Sequence, residues 1–210
     1  MMLDDADLAI VEPPRARLER LSKDATIVAA INGAFFESDA GPSGLLVSHG
    51  RPIGAFDARG GSGIFIVFDK RARLVPADGA VATMPGDLKV QCGPRLIEPD
   101  GSIGIRSDDG KRASRTVACI RDGGREVDLV LAWTRNSDRD GPGLFEMAQW
   151  LRQPLFAGEA SGCDAALNLD GGPSTGVVLR GLPDELHMPY GRVPFALVVR
   201  ERQAPVVTDE

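Results

Sequence analysis

The chain has 210 residues, of which 43% are hydrophobic, and a formal net charge of −6 at pH 7. This length suffices for one sizeable hydrophobic core and is short for two domains. Because the charge is negative and no basic arm is visible, composition excludes a general polyanion binder, and we expect no nucleic acid as a partner.

Glycine and proline interrupt the whole chain, with 25 and 15 residues, as is typical of many short strands joined by tight turns. We expect an N-terminal segment at 1–21, with an edge strand and a short helix at 15–21, then one domain at 22–200 and a C-terminal tail at 201–210. No apolar run reaches the roughly 18 residues of a transmembrane helix. The N-terminus also lacks the pattern of a signal peptide.

Short apolar and β-branched runs predict the strands of the domain. In chain order these runs are TIVAAI ending at residue 31, a strand within 41–53, GIFIVFD at 63–69, RLVPADG at 73–79, two strands in 87–97 separated by Gly93-Pro94, VACI at 117–120, 127–133, 165–169, 177–179 and PFALVVR at 194–200. The class is therefore strand-rich.

One helix is predicted at 143–153, because Leu144, Met147, Ala148 and Leu151 recur at helical spacing. Pro154 ends it. A carboxylate in the first turn, such as that at position 146, is favoured by the helix dipole, so a structural role is preferred there to a catalytic one.

The three cysteines, Cys92, Cys119 and Cys163, are far apart and form no CxxC pair. Neither a zinc site nor a disulfide framework follows from this spacing. Cys119 and Cys163 lie in apolar runs, so we predict two buried, reduced thiols. A single disulfide among the three cysteines is the alternative.

The stretch AALNLDGGPSTG at 165–176 carries the most chemistry. Asp170 stands where an apolar strand stops, and Gly171-Gly172 permit backbone angles that other residues avoid. Such a turn exposes backbone N–H groups and directs the hydroxyls of Ser174 and Thr175 toward one point, which suits an anionic group. A plain hairpin turn with a returning strand explains the same residues equally well.

Other polar residues also stand beside predicted strand ends: Asn32, Arg95, Arg115 followed by Thr116, and Arg192. Two or more arginines near one carboxylate suit a substrate that has both a phosphate and a polar sugar. We therefore expect Asn32, Arg95, Arg115 and Asp170 to line one pocket.

Other catalytic arrangements are less well supported. A Ser-His-Asp site would need His49 or His187, and no GxSxG motif is present. The DGGPST turn has no P-loop lysine. A carboxylate metal site with Asp170, Asp39 and Asp57 stays open, although no loop has calcium-binding spacing. We predict no cofactor and no metal.

Several blocks of the sequence together resemble one known family. They are NGAFF at 32–36, PSGLLVSHGRPI at 42–53, QCGPRLI at 91–97, SRTVACI at 114–120, GLFEMAQWL at 143–151, ALNLDGGPSTGVVL at 166–179 and RVPFALVV at 192–199. In this order they resemble the phosphodiester glycosidase family over about residues 22–200, and NLDGGPST is the most specific block. Departures from the family pattern are Ala34, Pro173, Phe195 and an insert at 154–162.

The resemblance implies a single α+β domain of curved, mostly antiparallel sheets with a few flanking helices. It implies hydrolysis of a glycosyl phosphodiester, such as one of N-acetylglucosamine, to a free sugar and a phosphomonoester, in an extracytoplasmic setting. A non-catalytic binder of cell-wall or exopolysaccharide glycans is the alternative. The implied catalytic residues are Asp170, Asn32 and Arg115, and the implied substrate-binding residues are Arg95, Thr116, Gly171, Gly172, Ser174, Thr175 and Arg192.

Overall fold

The computed structural model describes residues 1–134, 137–154, 161–182 and 189–201. Within these ranges the chain forms thirteen strands, two α-helices and short 3-10 turns. The strands are β1 Ala6–Val11, β2 Ile27–Asn32, β3 Leu46–Ser48, β4 Arg51–Gly54, β5 Gly63–Phe68, β6 Arg71–Pro76, β7 Leu88–Cys92, β8 Arg95–Ile97, β9 Arg115–Arg121, β10 Glu126–Ala132, β11 Ala165–Asn168, β12 Val177–Leu179 and β13 Ala196–Glu201. The helices are α1 Gly79–Ala82 and α2 Leu144–Leu151.

The strands form three sheets, and every strand pair in them is antiparallel. Their orders are β1-β13-β2-β12, β10-β9-β11-β8 and β4-β3-β7-β5-β6. We refer to them as the first, second and third sheet. The structure confirms the expected α+β domain of mostly antiparallel sheets with few helices.

One hydrophobic core joins the three sheets. Ile31 of β2, Leu167 of β11 and Phe65 of β5 come from different sheets, belong to the same cluster and are almost completely buried. The near-continuous apolar sequence of β5 fits this position, because a strand buried on both faces has no side for polar residues. Burial of a side chain of this size contributes roughly 1.5 to 3 kcal/mol.

Helix α2 covers the outer face of the second sheet. Met147, Ala148 and Leu151 point inward and pack with Val117 and Ala166 of that sheet. The helix is shorter than the predicted 143–153, because Gly143 serves as its N-cap and the helical hydrogen bonds end at Leu151.

The N-terminal segment is part of the first sheet, since β1 pairs with β13 at the sheet edge. The single helix predicted at 15–21 is absent, and two 3-10 turns, Pro14–Ala16 and Leu18–Lys23, stand in its place. Arg15 and Ala16 have φ values of 59° and 51°, which an α-helix does not allow.

The prediction that Cys119 and Cys163 are reduced thiols is wrong, because the structure joins them in a disulfide. Strands β9 and β11 are antiparallel neighbours, with Ala166 opposite Cys119. Cys163 lies two residues before the start of β11, and the Cα atoms of the two cysteines lie 5.5 Å apart although 44 residues separate them in sequence. Cys92 is a buried free thiol.

In the part of the chain that the structure describes, no helix has the length and apolar character needed to cross a membrane. His187 and residues 155–160 of the insert lie outside the described residues. His49 is exposed and makes a contact of 3.9 Å with Asp7, so it takes no part in a Ser-His-Asp arrangement with Ser174.

Candidate functional site

The acid turn, residues 170–175, lies where the first and second sheets meet. Strand β11 belongs to the second sheet and β12 to the first. Between them, the backbone N–H of Leu169 donates to the carbonyl of Thr116, and that of Asp170 donates to the carbonyl of Gly33. The chain thus passes from one sheet to the other, and the alternative of a plain hairpin is wrong.

Two glycines shape this turn. Gly172 has a φ of +56°, which favours glycine, and its N–H donates to the carbonyl of Ser114 at 2.7 Å. A Cβ at Gly171 would lie 2.9 Å from the same carbonyl oxygen. The close approach to the start of β9 therefore requires glycine at position 171, and the backbone angle favours glycine at position 172.

Asn32 binds the acid turn through hydrogen bonds from the buried side. Its side chain is completely buried, and Nδ2 donates to the carbonyl of Asp170 at 2.5 Å. Its Oδ1 accepts from the hydroxyl of Thr116 at 2.8 Å and from the N–H of Gly176 at 3.2 Å. Both ends of the amide are occupied by protein groups, so Asn32 and Thr116 position the turn.

The carboxyl group of Asp170 is partly buried at this sheet junction. Burial raises its pKa from 3.8 to about 6, although hydrogen bonds from the Ser174 hydroxyl and the Gly171 N–H favour the charged form. The buried thiol of Cys92 is nearby: burial raises the pKa of this thiol, and the charge of Asp170 raises it further.

Asp170 lines a pocket of about 510 Å³, which we call the acid pocket. The other described residues that line it are Phe35, Phe36, Glu37, Ser43, Arg59, Gly171, Pro173, Ser174, Gly191 and Arg192. Arg59 and Arg192 are its cationic side chains, and Arg59 also forms an ion pair of 3.1 Å with Asp57. The pocket thus combines one carboxyl of raised pKa, two guanidinium groups and two aromatic rings.

Neither Arg95 nor Arg115 is among the described residues that line the acid pocket. The guanidinium of Arg95 is bound to the carboxylate of Glu98 at 2.9 Å and to the carbonyl of Ser62 at 2.6 Å. Its backbone does stand opposite Leu167, so the strand-end reasoning located the strand correctly. The side chain, however, is held by Glu98 and by the segment at the start of β5 in the third sheet.

Arg115 lies closer to the turn, because its Cα would be 3.7 Å from a Cβ placed on Gly171. Its guanidinium nevertheless donates to the carbonyls of Pro142 at 3.2 Å and Lys111 at 3.1 Å. Burial lowers the pKa of Arg115. Its backbone therefore borders the turn, and its side chain holds the loop that precedes α2.

Two buried hydroxyls near the turn have no hydrogen-bond partner among the described residues. They belong to Thr175 and Ser114, whose side chains are inaccessible to solvent. Buried polar groups are usually paired, so an unpaired one in a functional region needs an explanation. Ser174 differs, because its hydroxyl contacts both the Asp170 carboxyl and the carbonyl of Arg192.

Arg59, Glu37 and Ser43 also line the acid pocket, although the sequence did not predict them as site residues. Arg59 lies in a loop between β4 and β5, where no strand end marks it. Glu37 follows the NGAFF block directly, so the family resemblance is the one signal that pointed to this region. Among the described residues, no cluster of three or more His, Cys, Asp or Glu side chains is placed so that it could hold a metal ion.

Fold and site together define an α+β protein whose sheets meet at a polar pocket containing one carboxyl of raised pKa and two arginines. The chain belongs to the phosphodiester glycosidase family, whose model matches residues 25–201. This family indicates a hydrolase.

Solved structures share the fold at low sequence identity. The catalytic domain of zebrafish N-acetylglucosamine-1-phosphodiester alpha-N-acetylglucosaminidase, auto-inhibited by its pro-peptide, is 19% identical, with a TM-score of 0.63 over 95% of this chain and 74% of its own. A hypothetical protein from Synechocystis is 18% identical, with a TM-score of 0.60 over 94% of this chain and 57% of its own. A putative exported protein from Burkholderia pseudomallei is 15% identical, with a TM-score of 0.54 over 93% and 71%. Comparison with curated proteins finds no match.

Proposed function

We propose that this protein hydrolyses a glycosyl phosphodiester at the anomeric carbon, giving a free sugar and a phosphomonoester. The observation that carries the proposal is the position of Asp170, whose pKa of about 6 and whose neighbours Arg59 and Arg192 combine a carboxylate with cations in one pocket. Membership of the phosphodiester glycosidase family supports the same reaction.

Asp170 acts on the anomeric carbon, either as a nucleophile or as a base that activates water. Both roles need the carboxylate, which predominates above pH 6. A phosphomonoester is a good leaving group, so the reaction depends more on stabilising the oxocarbenium-like transition state than on a strong general acid. An anionic carboxylate beside the anomeric carbon provides such stabilisation.

Arg192 and Arg59 bind the phosphate in this proposal, because theirs are the guanidinium groups that line the acid pocket. Arginine suits this task, since its planar fork can donate two hydrogen bonds to a phosphate. Arg95 and Arg115 are assigned no phosphate contact, because neither is among the described residues that line the acid pocket. Arg115 instead positions the loop beside the acid turn.

The hydroxyls of Ser174 and Thr175 lie at or beside the proposed site. Ser174 lines the acid pocket, and its hydrogen bond to Asp170 favours the charged carboxylate. The Thr175 hydroxyl is buried and has no partner among the described residues, but Thr175 is not among those that line the acid pocket, so we assign it no substrate contact. Phe35 and Phe36 offer apolar surface for the ring face of a sugar.

A coupled assay with sugar-1-phosphate esters of p-nitrophenol tests the reaction and the bond that breaks. Cleavage on the sugar side of the phosphate releases p-nitrophenyl phosphate, which becomes coloured only after alkaline phosphatase is added. In ¹⁸O-labelled water, attack at the anomeric carbon places the label in the sugar and attack at phosphorus places it in the phosphate. Cleavage between phosphorus and the aryl oxygen gives colour without phosphatase. We expect phosphatase-dependent colour that an Asp170→Asn variant loses.

The sugar is identified by repeating the assay with esters of N-acetylglucosamine, glucose and galactose. Saturable binding of an ester without any product would reject the hydrolase in favour of a non-catalytic glycan binder. Colour in the absence of phosphatase would reject attack at the anomeric carbon.

A further inference from the structure

The chain has two tryptophans, and both line one pocket away from Asp170. This pocket, which we call the tryptophan pocket, has a volume of about 710 Å³. Its described lining includes Trp133, Trp150, Arg112, Thr134, Asp140 and Glu146. We propose that it binds a neutral glycan chain at a site separate from the acid pocket.

The exposure of Trp150 is the first argument. Its side chain is 49% exposed on helix α2, although indole is among the largest apolar groups and is normally buried. Pyranose rings present a face of C–H groups, and the electron-rich face of an indole attracts these weakly positive hydrogens. Trp133, just after β10, adds a second aromatic group from a different element of the fold.

The polar lining is the second argument. Arg112 is bound to Glu146 at 2.9 Å and to Asp108 at 3.2 Å, so its guanidinium is held in place beside the indoles. The hydroxyl of Thr134 donates to the carbonyl of Ser137, and its oxygen can still accept a hydrogen bond. Sugar hydroxyls both donate and accept, so a mixed set of carboxylate, guanidinium and hydroxyl groups suits them.

Charge decides against an anionic ligand. Asp140 and Glu146 outnumber Arg112 among the charged groups that line the tryptophan pocket, so its local balance is negative. A phosphate or sugar acid would be repelled there, whereas in the acid pocket two arginines balance the carboxyl groups of Asp170 and Glu37. The two pockets therefore suit different parts of a glycan phosphodiester.

The two pockets lie on either side of the start of β9. Gly172 of the acid turn donates to the carbonyl of Ser114, and Arg115 donates through Nε to the carbonyl of Pro142, which lines the tryptophan pocket. The biological reason for a glycan site here rests on the proposed function, whose substrates are glycan phosphodiesters. The binding itself does not depend on that function.

Intrinsic fluorescence tests the proposal directly, because both tryptophans of the chain line this pocket. The purified protein is titrated with chitotetraose, cellotetraose and maltotetraose as probes. We expect a saturable fluorescence change with at least one of them. Trp150→Ala should weaken that binding at least about tenfold, with Trp133 still reporting, and Trp150→Phe should restore most of it.

Phe68→Ala is the matched control, because Phe68 is also a large exposed aromatic residue but lies in the third sheet. It should leave binding unchanged, and circular dichroism verifies that each variant is folded. Failure of all three probes to saturate, or unchanged affinity in folded Trp150→Ala, would overturn the proposal. Asp170→Asn should bind the same probe normally, so a failed hydrolysis assay and a failed glycan site are separate results.

Discussion

The side-chain amide of Asn32 donates a hydrogen bond of 2.5 Å to the main-chain carbonyl of Asp170, which lies 138 residues further along the chain. This bond ties the end of β2 to the end of β11, and thus the first sheet to the second. The position of the Asp170 carboxyl therefore depends on Asn32, which is buried and is not among the residues that line the acid pocket. Such a buried amide is expected to govern both stability and catalysis.

Replacing Asn32 with alanine should destabilise the fold and slow the reaction. The change leaves the Asp170 carbonyl, the Thr116 hydroxyl and the Gly176 N–H without their partner, so we expect a loss of about 2 to 4 kcal/mol in the free energy of unfolding. Thr116→Val removes one of these bonds and should cost about 1 kcal/mol. Urea denaturation measures both, and a large loss of kcat with unchanged stability would instead indicate direct substrate contact.

Asp170→Asn should lower kcat by about 10²-fold or more while substrate affinity stays nearly the same. The amide keeps the size of the carboxyl but cannot act as nucleophile or base. Comparing kcat and the dissociation constant of the p-nitrophenyl ester separates these effects. A folded variant with wild-type turnover would shift the catalytic role to another carboxylate, and Glu37 is then the candidate, since it lines the same pocket.

The activity of the wild-type enzyme should rise as pH increases through about 6. The pKa of Asp170 is about 6 because burial disfavours its charge, and only the ionised form is active in the proposed mechanism. A profile of kcat/KM against pH should therefore rise as the pH passes through about 6. A limb that falls above pH 6 would mean that Asp170 acts as a general acid.

Stability should show the opposite dependence. Asp170 has a pKa near 3.8 in the unfolded chain and about 6 in the folded one, so the folded state holds its proton more tightly. Its contribution to stability is complete below pH 3.8 and is lost as pH rises through 6, by about 2 to 3 kcal/mol. Asp170→Asn should accordingly gain stability relative to wild type between pH 4 and pH 7. Melting temperatures that keep a constant difference across this range would contradict the raised pKa.

Arginine substitutions should show which guanidinium groups bind the substrate and which have only a structural role. Arg192→Ala removes a guanidinium that lines the pocket, so we expect a higher KM and a loss of about 2 to 4 kcal/mol in kcat/KM at wild-type stability. Arg95→Ala is the matched control, because its guanidinium is bound to Glu98 and lies outside the described lining. If Arg95→Ala lowered kcat/KM more than Arg192→Ala, this would indicate that Arg95, and not Arg192, binds the phosphate.

Reduction of the Cys119–Cys163 disulfide should lower the free energy of unfolding by about 2 to 4 kcal/mol, because the bond closes a long loop in the unfolded chain. Denaturant titrations with and without reductant measure this. Under non-reducing denaturing conditions one thiol per chain, that of Cys92, should react with an alkylating reagent. Three reactive thiols in freshly isolated protein would show that the bond does not form.

Much of the fold follows from local sequence. The apolar run of β5 and the four apolar positions of α2 each predict their element, because hydrophobic periodicity is a property of neighbouring residues. Asp170, Gly171 and Gly172 were likewise found from one short stretch, because a strand end followed by glycines is a local signal. The order of the motif blocks then indicated the family.

Tertiary structure alone decided which side chains meet. Asn32, Arg95 and Arg115 all stand at strand ends, but a strand end fixes the position of a backbone and leaves the direction of a long side chain to its partners. Glu98 and the Pro142 carbonyl hold the two arginines elsewhere, whereas Arg59, in a loop without any pattern, reaches the acid pocket. The sequence left a single disulfide as the alternative for the same reason, since only the pairing of β9 with β11 brings Cys119 and Cys163 together across 44 residues.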